Sequence, residues 1–171
     1  MTVLYNQTLY NKIKEQKNKL LTVYLILLSV VFLCVVGIIV FYALQPYGNN
    51  LANTLKFIMF ALIICFTLFS GVYLSIIYGR VSKYLHFLNS LKVGKKYTFD
   101  ATVVTINYGD TKTNYGVDFY TLDVLEWSNS QNDYVNHKIL IDAEFKNLDI
   151  NEGDMLTVTT SLNALMEFKK V

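Results

Sequence analysis

Two long stretches without a single charged residue set the strongest constraint on how this chain folds. The first runs from Leu20 to Leu44 and the second from Phe57 to Gly79. About 20 apolar residues suffice for a helix to cross a bilayer core, whereas buried helices of soluble proteins are usually shorter. The first stretch also exceeds the roughly 7–15 apolar residues of a cleaved signal peptide. The sequence therefore predicts a membrane protein with a two-helix transmembrane hairpin, over residues 20–44 and 57–79.

The placement of basic residues predicts how this hairpin is oriented. Four lysines lie in the segment 1–19, whereas the predicted external loop, 45–56, carries only Lys56 at its end. Basic residues also follow the second span, where we expect them to contact the inner leaflet: Arg80, Lys83, Lys92, Lys95 and Lys96. Lys and Arg are enriched in cytoplasmic loops. We therefore expect both termini in the cytoplasm, and an inner (cell) membrane location in a bacterium, since a composition rich in Lys, Asn, Ile and Tyr is typical of AT-rich genomes.

The segment 80–95 is predicted to be a basic, amphipathic helix. Its apolar residues recur at helical spacing: Val81, Tyr84, Leu85, Leu88 and Leu91. One interpretation is a helix that lies on the anionic inner leaflet, where each basic group contributes roughly 1 kcal/mol. The other is a continuation of the second span that packs on the soluble domain. The pattern alone leaves both open.

Small residues recur every four positions in the second span, at Thr67, Gly71, Ser75 and Gly79. On an α-helix this spacing aligns them on one face, which lets another helix approach closely. The face is predicted either to dock a second copy or another membrane protein, or to pack against the first span. Neither span contains an ionisable Asp, Glu, Lys, Arg or His, so a transport role for this chain alone is improbable.

The formal charge of +2 conceals two oppositely charged halves. Residues 1–95 carry nine basic residues and one acid, which gives 9 − 1 = +8, whereas residues 96–171 carry 6 − 12 = −6. The period of the apolar pattern also changes at residue 96, to short segments rich in β-branched and aromatic residues: KYTFDATVVTIN, VDFYTLDVLEW, YVNHKILIDAEF, DMLTVTT and NALMEFKKV. Turn signals separate them, so residues 96–171 are predicted to form a cytosolic, about five-stranded β-barrel of the OB-like or SH3-like type.

A hairpin followed by such a barrel is similar in architecture to the membrane-anchored barrels of the NfeD-like group. The turn from Leu148 to Asp154, followed by the strand MLTV, resembles the tight turn into a strand of small barrels. The resemblance concerns architecture, and we carry over no functional residue from it. Within the third segment, Val135, Ile139 and Ile141 are expected to face the core, whereas Asp142 and Glu144 are expected on the solvent face.

No motif for catalysis, metal binding or a cofactor stands out in the sequence. His86 and His137 are not near a cysteine, and Cys34 and Cys65 lie in the apolar stretches. The acidic residues around Gly153 fail the spacing of an EF-hand and favour a turn. A net charge of −6 argues against nucleic-acid binding by the barrel, because phosphate recognition depends on Lys and Arg.

We therefore expect a small integral membrane protein that is not an enzyme and has no cofactor. Its barrel is predicted to serve as an interaction, assembly or regulatory module. The expected partners are the lipid bilayer and either another membrane protein or a second copy, with no nucleic acid. The alternative is a membrane-anchored sensor that binds a small ligand in the β domain.

Overall fold

The computed structural model describes residues 2–46, 50–128, 130–145 and 148–171. The chain divides into two compact units. The hairpin unit comprises Glu15–Val81, and the barrel unit combines Met1–Lys14 with Ser82–Val171. The barrel unit is thus built from both ends of the chain.

Two helices make up most of the hairpin unit. Helix α1 spans Gln7–Ala43 and helix α2 spans Asn50–Val72. By length and composition, α1 and the helical segment Asn50–Val93, which α2 begins, are each long and apolar enough to cross a membrane, and 0% and 6% of their most apolar windows are buried. The 37 residues of α1 extend about 55 Å, so the basic segment before the first apolar stretch continues the same helix. The predicted loop 45–56 is shorter in the structure, because α2 already begins at Asn50, and residues 47–49 lie outside the described residues.

Aromatic side chains join α1 to α2. The Tyr24 hydroxyl donates to Ser70 Oγ over 3.3 Å, and the Tyr73 hydroxyl donates to the carbonyl of Leu20 over 3.0 Å. The ring of Tyr24 also stacks against Phe66 and Tyr73, with centroids 6.2 and 5.7 Å apart. Phe66, Ser70 and Tyr73 are spaced by four and three residues and therefore share one side of α2.

A π-helical turn, Tyr73–Tyr78, separates α2 from helix α3, which spans Gly79–Val93. The Gly79 N–H bonds to the carbonyl of Leu74, five residues earlier, as in a π-turn. Such a turn inserts one residue into the helix and shifts all later residues by about 100° around its axis. A four-residue spacing that crosses this turn therefore does not keep its residues on one face.

The barrel unit contains a closed five-stranded β-barrel. Its strands are β2 Tyr97–Asn114, β3 Val117–Ser128, β4 Asp133–Asp142, β5 Met155–Ser161 and β6 Ala164–Lys170. The order β6-β4-β3-β2-β5 closes through pairing of β5 with β6. All pairs are antiparallel except β4 with β6, which are parallel and joined at one position, Leu140 with Ala164. The predicted five-stranded barrel is confirmed.

The barrel core is made by alternate residues of the strands. Leu122, Val124, Leu156 and Val158 are fully buried there, together with Ile139 and Ile141 at 2% and 1% exposure. Strand β2 is longer than predicted, because the expected turn before residue 116 is mostly strand. The chain reverses only at Tyr115 and Gly116, where φ is positive, and the pairing is irregular between Asn107 and Lys112.

Helix α3 packs on the outside of the barrel. It buries Tyr84, Leu85, Phe87, Leu88 and Leu91. The Phe87 ring lies edge-on to Phe119, with centroids 5.4 Å apart, and Phe119 alternates with the core-facing Tyr120 and Leu122 of β3. The sequence left two interpretations of this amphipathic segment open. In the structure the segment continues the second apolar helix and packs on the barrel. The apolar face expected to meet the leaflet is occupied by protein.

The N-terminal residues complete the barrel. A short strand, β1 (Thr2–Val3), pairs antiparallel with β6 opposite Phe168 and Glu167. The next residue, Leu4, donates its N–H to the Met166 carbonyl over 2.9 Å and enters the barrel core. Asn6 then caps α1, because its Oδ1 accepts the N–H of Leu9 over 2.8 Å.

Candidate functional site

One end of the barrel, which we call the mouth, brings three polar side chains and one aromatic ring together. Phe99 of β2, Glu126 of β3, His137 of β4 and Thr160 of β5 each continue the inward-facing series of their strands. They lie where β3 ends and β4 begins, away from the strand ends that contact Phe87 of α3. The mouth is thus the end of the barrel interior where the core changes from apolar to polar.

A contact with a carboxylate orients the imidazole at the mouth. His137 Nε2 lies 2.8 Å from Glu126 Oε2, and its ring centroid is 5.4 Å from that of Phe99. The carboxylate fixes one ring nitrogen, so Nδ1 is the atom left to bond to another group. Both side chains are partly exposed, at 42% and 31%.

A cavity of about 230 Å³ opens beside this pair. It is lined by Phe99, Asn136, His137, Lys138, Ile139, Thr160 and Asn163. Pockets for drug-sized ligands usually measure about 300–1,000 Å³, so this one suits a single amino-acid side chain or a very small molecule. Four consecutive residues of β4 line it, which places the cavity along the edge of that strand.

The edge of β4 beside the cavity is unpaired over the described residues. Leu140 directs its N–H away from β3, to the carbonyl of Asn163 at 2.7 Å. In an antiparallel pair the backbone groups alternate sides, and β3 pairs with β4 in unbroken register. The N–H and C=O groups of Asn136 and Lys138 therefore also point away from β3, into the gap. Within the described part of the chain no strand faces them there, because β6 begins only at Ala164.

The turn that borders the gap has a strained backbone. Leu162 and Asn163 connect β5 to β6 with φ of 51° and 60°. Two positive φ values in a two-residue hairpin loop indicate a type I′ turn, which favours Asn and Gly. Asn163 suits this conformation, but a bulky Leu rarely adopts it. Gly94 passes close to this turn, since a Cβ there would lie 2.5 Å from Ser161 Oγ.

A second polar cluster lies under α3 and anchors this helix. Asp142 is fully buried; its Oδ2 accepts the Tyr84 hydroxyl over 2.5 Å and its Oδ1 accepts the Glu144 N–H over 3.0 Å. Burial raises the pKa of Asp142, although both hydrogen bonds oppose that rise. Burial, and then the bond to Asp142, raise the pKa of Tyr84 well above its usual value, so its hydroxyl stays protonated. The expected solvent-facing position of Asp142 was wrong, because α3 covers this outer face.

Among the residues predicted to form a helix-packing face, Thr67 and Gly71 are exposed on α2. Thr67 bonds only to its own helix, at the Ile63 carbonyl, and a Cβ at Gly71 would meet nothing within 4 Å. Ser75 lies within the π-helical turn and Gly79 beyond it, so the four residues do not form the continuous stripe that α-helical spacing predicted. The side of α2 that packs on α1 carries Phe66 and Ser70 instead.

The basic residues predicted at the inner leaflet lie on and just after α3. Arg80, Lys83, Lys95 and Lys96 are exposed. Lys92 donates to Gln7 Oε1 over 2.9 Å, and its Nζ lies 3.6 Å from the ring centroid of Tyr10. Contact of these groups with lipid stays a prediction.

The sequence contained a signal for the mouth that residue-type motifs do not capture. His137 has the same parity as Val135 and Ile139, so strand alternation alone predicts that it faces inward.

Within the described ranges, no group of three or more His, Cys, Asp or Glu side chains is arranged to hold a metal ion. The acidic turn folds around Gly153, at φ 85°, with Asp154 Oδ2 accepting the Asn151 N–H over 2.8 Å and pairing with Lys170.

Comparison with protein-family models, with curated proteins and with solved structures finds no match to this chain.

Replacing Asp142 with Asn is expected to change how stability depends on pH. The folded protein holds the Asp142 proton more tightly than the unfolded chain does. As pH rises from the usual value of 3.8 through the raised folded pKa, the free energy of unfolding therefore falls. Asp142→Asn removes this fall, so the variant gains stability relative to the natural protein as pH increases.

Denaturant unfolding at several pH values, followed by the fluorescence of Trp127, measures this difference. Trp127 is the sole tryptophan and lies in β3, so its signal reports on the barrel. Glu144→Gln is the matched control, because Glu144 is exposed and only its weaker repulsion acts on Asp142. Parallel stability curves for Asp142→Asn and the natural protein would contradict the prediction.

Replacing Leu162 with Asn is expected to stabilise the barrel by about 1 kcal/mol, because Asn tolerates the left-handed conformation better than Leu does. Little burial is lost, since Leu162 is 47% exposed. The melting temperature of a domain this size should rise by roughly 4–8 °C per kcal/mol. The reciprocal change, Asn163→Leu, should lower it, and thermal melts in which both variants shift in the same direction would refute this account of the turn.

Proposed function

We propose that this chain is a small integral membrane protein whose two transmembrane helices hold the barrel at the cytoplasmic face, where it acts as an interaction or assembly module. The observation that carries the proposal is that strand β1, before the first apolar helix, pairs with β6, after the second. Two segments that share one sheet must lie on the same side of a membrane. The chain between them then crosses twice, as a hairpin.

The exposed helices support membrane insertion. Large apolar side chains such as Phe32, Leu33 and Leu68 are 65–68% exposed in the structure. Water would oppose such exposure at about 25 cal/mol per Å² of apolar area. A bilayer removes this cost, because its hydrocarbon core covers these side chains.

The charge distribution supports a cytoplasmic barrel. The basic groups flank the ends of the helices that join the barrel unit, as the positive-inside rule requires. We assign to Arg80, Lys83, Lys92, Lys95 and Lys96 the contact with the anionic inner leaflet. The barrel itself, at −6, is repelled by that leaflet and by nucleic-acid phosphates, which favours a protein as its partner.

The strand order supports an OB-type barrel rather than an SH3-like one. A long first strand, β2, pairs with both β3 and β5, the strands β4 and β6 are parallel, and the pairing of β5 with β6 closes the barrel. This is the arrangement of a five-stranded Greek-key OB barrel. Helix α3 precedes the barrel strands here and packs against the outside of β3 and β4.

The second candidate function is a membrane-anchored sensor, and the cavity at the mouth is the observation that favours it. Its volume of about 230 Å³ and its mixture of Phe99, His137, Lys138 and two amides suit a small polar ligand. The interaction role is preferred because the cavity opens along a free strand edge, and such edges are recognised by polypeptides.

Cysteine labelling of intact cells tests the orientation. In a background with Cys34 and Cys65 replaced by Ala, a cysteine introduced by Asn50→Cys, at the start of α2, is expected to react with an impermeant maleimide from outside. The matched control, Ser130→Cys at the exposed tip between β3 and β4, should react only after the membrane is ruptured. The opposite pattern would contradict a cytoplasmic barrel. Asn49, in the predicted external loop, lies outside the described residues.

The interaction role predicts an assembly larger than the monomer in the membrane. A photo-crosslinker placed at Gly71, on the open side of α2, is expected to capture a second copy or another membrane protein. The same crosslinker at Phe66, which faces α1, is the matched control and should capture little. A protein that stays strictly monomeric by native mass spectrometry and captures nothing from either position would exclude the assembly role.

A further inference from the structure

We infer that the free edge of β4 at the mouth binds an extended, basic segment of a partner polypeptide, which adds a strand beside β4 and inserts one side chain into the cavity. The inference deepens the proposed interaction role and rests on it. It assigns the binding surface to Asn136–Lys138, the cavity and the β5–β6 turn.

The backbone of β4 offers hydrogen-bond donors and acceptors to an added strand. Asn136 and Lys138 each direct an N–H and a C=O into the gap, as Leu140 does where it meets β6. Donors and acceptors alternate along such an edge at the spacing of another extended chain, so a polypeptide strand satisfies all of them. A small anion would satisfy only the N–H groups and would be repelled by the carbonyls.

The gap beside β4 is long enough for an added strand. Strand β6 starts at Ala164, opposite Leu140, so the part of β4 before Leu140 extends beyond it. The β3–β4 pairing continues in register to Ser128 and Asp133, which makes this part a well-formed ribbon with one open side. An added strand of about four to six residues would continue the sheet there.

The cavity supplies a place for one side chain of that strand. Phe99 and Ile139 form its apolar walls, and Thr160 and Asn163 its polar rim. In strand addition, backbone bonds provide affinity and pockets for alternate side chains provide specificity. A volume of about 230 Å³ accommodates one aliphatic or aromatic side chain and is too small for a cluster of several apolar side chains.

The charge around the edge determines the sign of the partner. Residues 121–140 contain Asp123, Glu126 and Asp133 against Lys138 alone, which gives 1 − 3 = −2. One oxygen of Asp123, Oδ1, is buried without a hydrogen-bond donor among the described residues, and Asp123 lies opposite Lys138 in the register. Complementary charge suppresses wrong partners and accelerates encounter, so a segment with lysines or arginines fits this edge best.

Fluorescence anisotropy with the full-length protein in a neutral detergent tests the inference. The probe is a labelled peptide of about nine residues, Lys-Thr-Lys-Val-Leu-Val-Lys-Thr-Lys, which spans roughly 30 Å when extended. We expect it to bind, and to bind at least about tenfold more tightly than the same peptide with Glu at every Lys. No binding of the basic peptide at about 1 mM, or equal binding of both, would overturn the inference.

A proline at the edge separates strand addition from other modes of binding. Asn136→Pro removes an N–H that faces the gap and leaves the β3 ladder intact, as proline is tolerated on edge strands. It should weaken binding at least about tenfold, whereas the matched Asn136→Thr should stay within about twofold. Unchanged binding by the proline variant would overturn the inference.

A charge reversal keeps the test decisive if the proline variant does not fold. Lys138→Glu makes the edge more acidic and should tighten binding of the basic peptide, whereas Lys112→Glu, in the β2–β3 hairpin, should not.

Leucinamide binding as tightly as the peptide would show a small-ligand pocket instead, and loss of a dimer in Asn136→Pro would show that a second copy occupies the edge. Either result replaces the inference. Capture of a partner in the membrane without peptide binding refutes only the edge, whereas peptide binding by a strictly monomeric protein refutes only the assembly role.

Discussion

The sparse pairing between β4 and β6 determines most of what this protein presents to its surroundings. A single residue pair, Leu140 with Ala164, joins the two strands. On one side of that pair the N-terminal strand β1 lies along β6, and Leu4 enters the core. On the other side the edge of β4 stays open beside the cavity. Because β4 and β6 separate on both sides of this pair, β1 attaches the start of α1 to the barrel on one side. On the other side, the edge of β4 that we assign to a partner stays exposed.

Helix α3 explains why the barrel tolerates a buried carboxylate. Burial of Phe87, Leu88 and Leu91 contributes roughly 1.5–3 kcal/mol each before entropy is counted, and such figures are upper bounds. Removing an ion from water costs several kcal/mol, but Asp142 recovers part of this through the Tyr84 hydroxyl and the Glu144 N–H. The apolar contacts are therefore sufficient to dock the helix, and the Tyr84–Asp142 bond selects its position along the barrel.

Local patterns in the sequence predicted the elements of this fold but not how they meet. The uncharged stretches and the alternating segments located the long helices and five strands, since both signals repeat within one element. Strand β1 could not be predicted, because two residues have no period. The π-helical turn is a shift of hydrogen bonds that leaves residue types unchanged, and it separates Gly79 from the face of Gly71. The burial of Asp142 depends on α3, which is distant in the chain. The position of His137, by contrast, could have been predicted from strand parity.

The charges around the mouth determine which partners the open edge of β4 can bind. Exposed strand edges invite aggregation, and proteins protect them with charged side chains. Here the part of the edge beside the cavity is short, because Asn136 and Lys138 supply its backbone groups, and Lys138 lies on it. Two copies that paired through this edge would bring two regions of net charge −2 together, which opposes self-association through like-charge repulsion. A basic segment meets no such repulsion, so the same charges that protect the edge from a second barrel admit a partner of opposite sign.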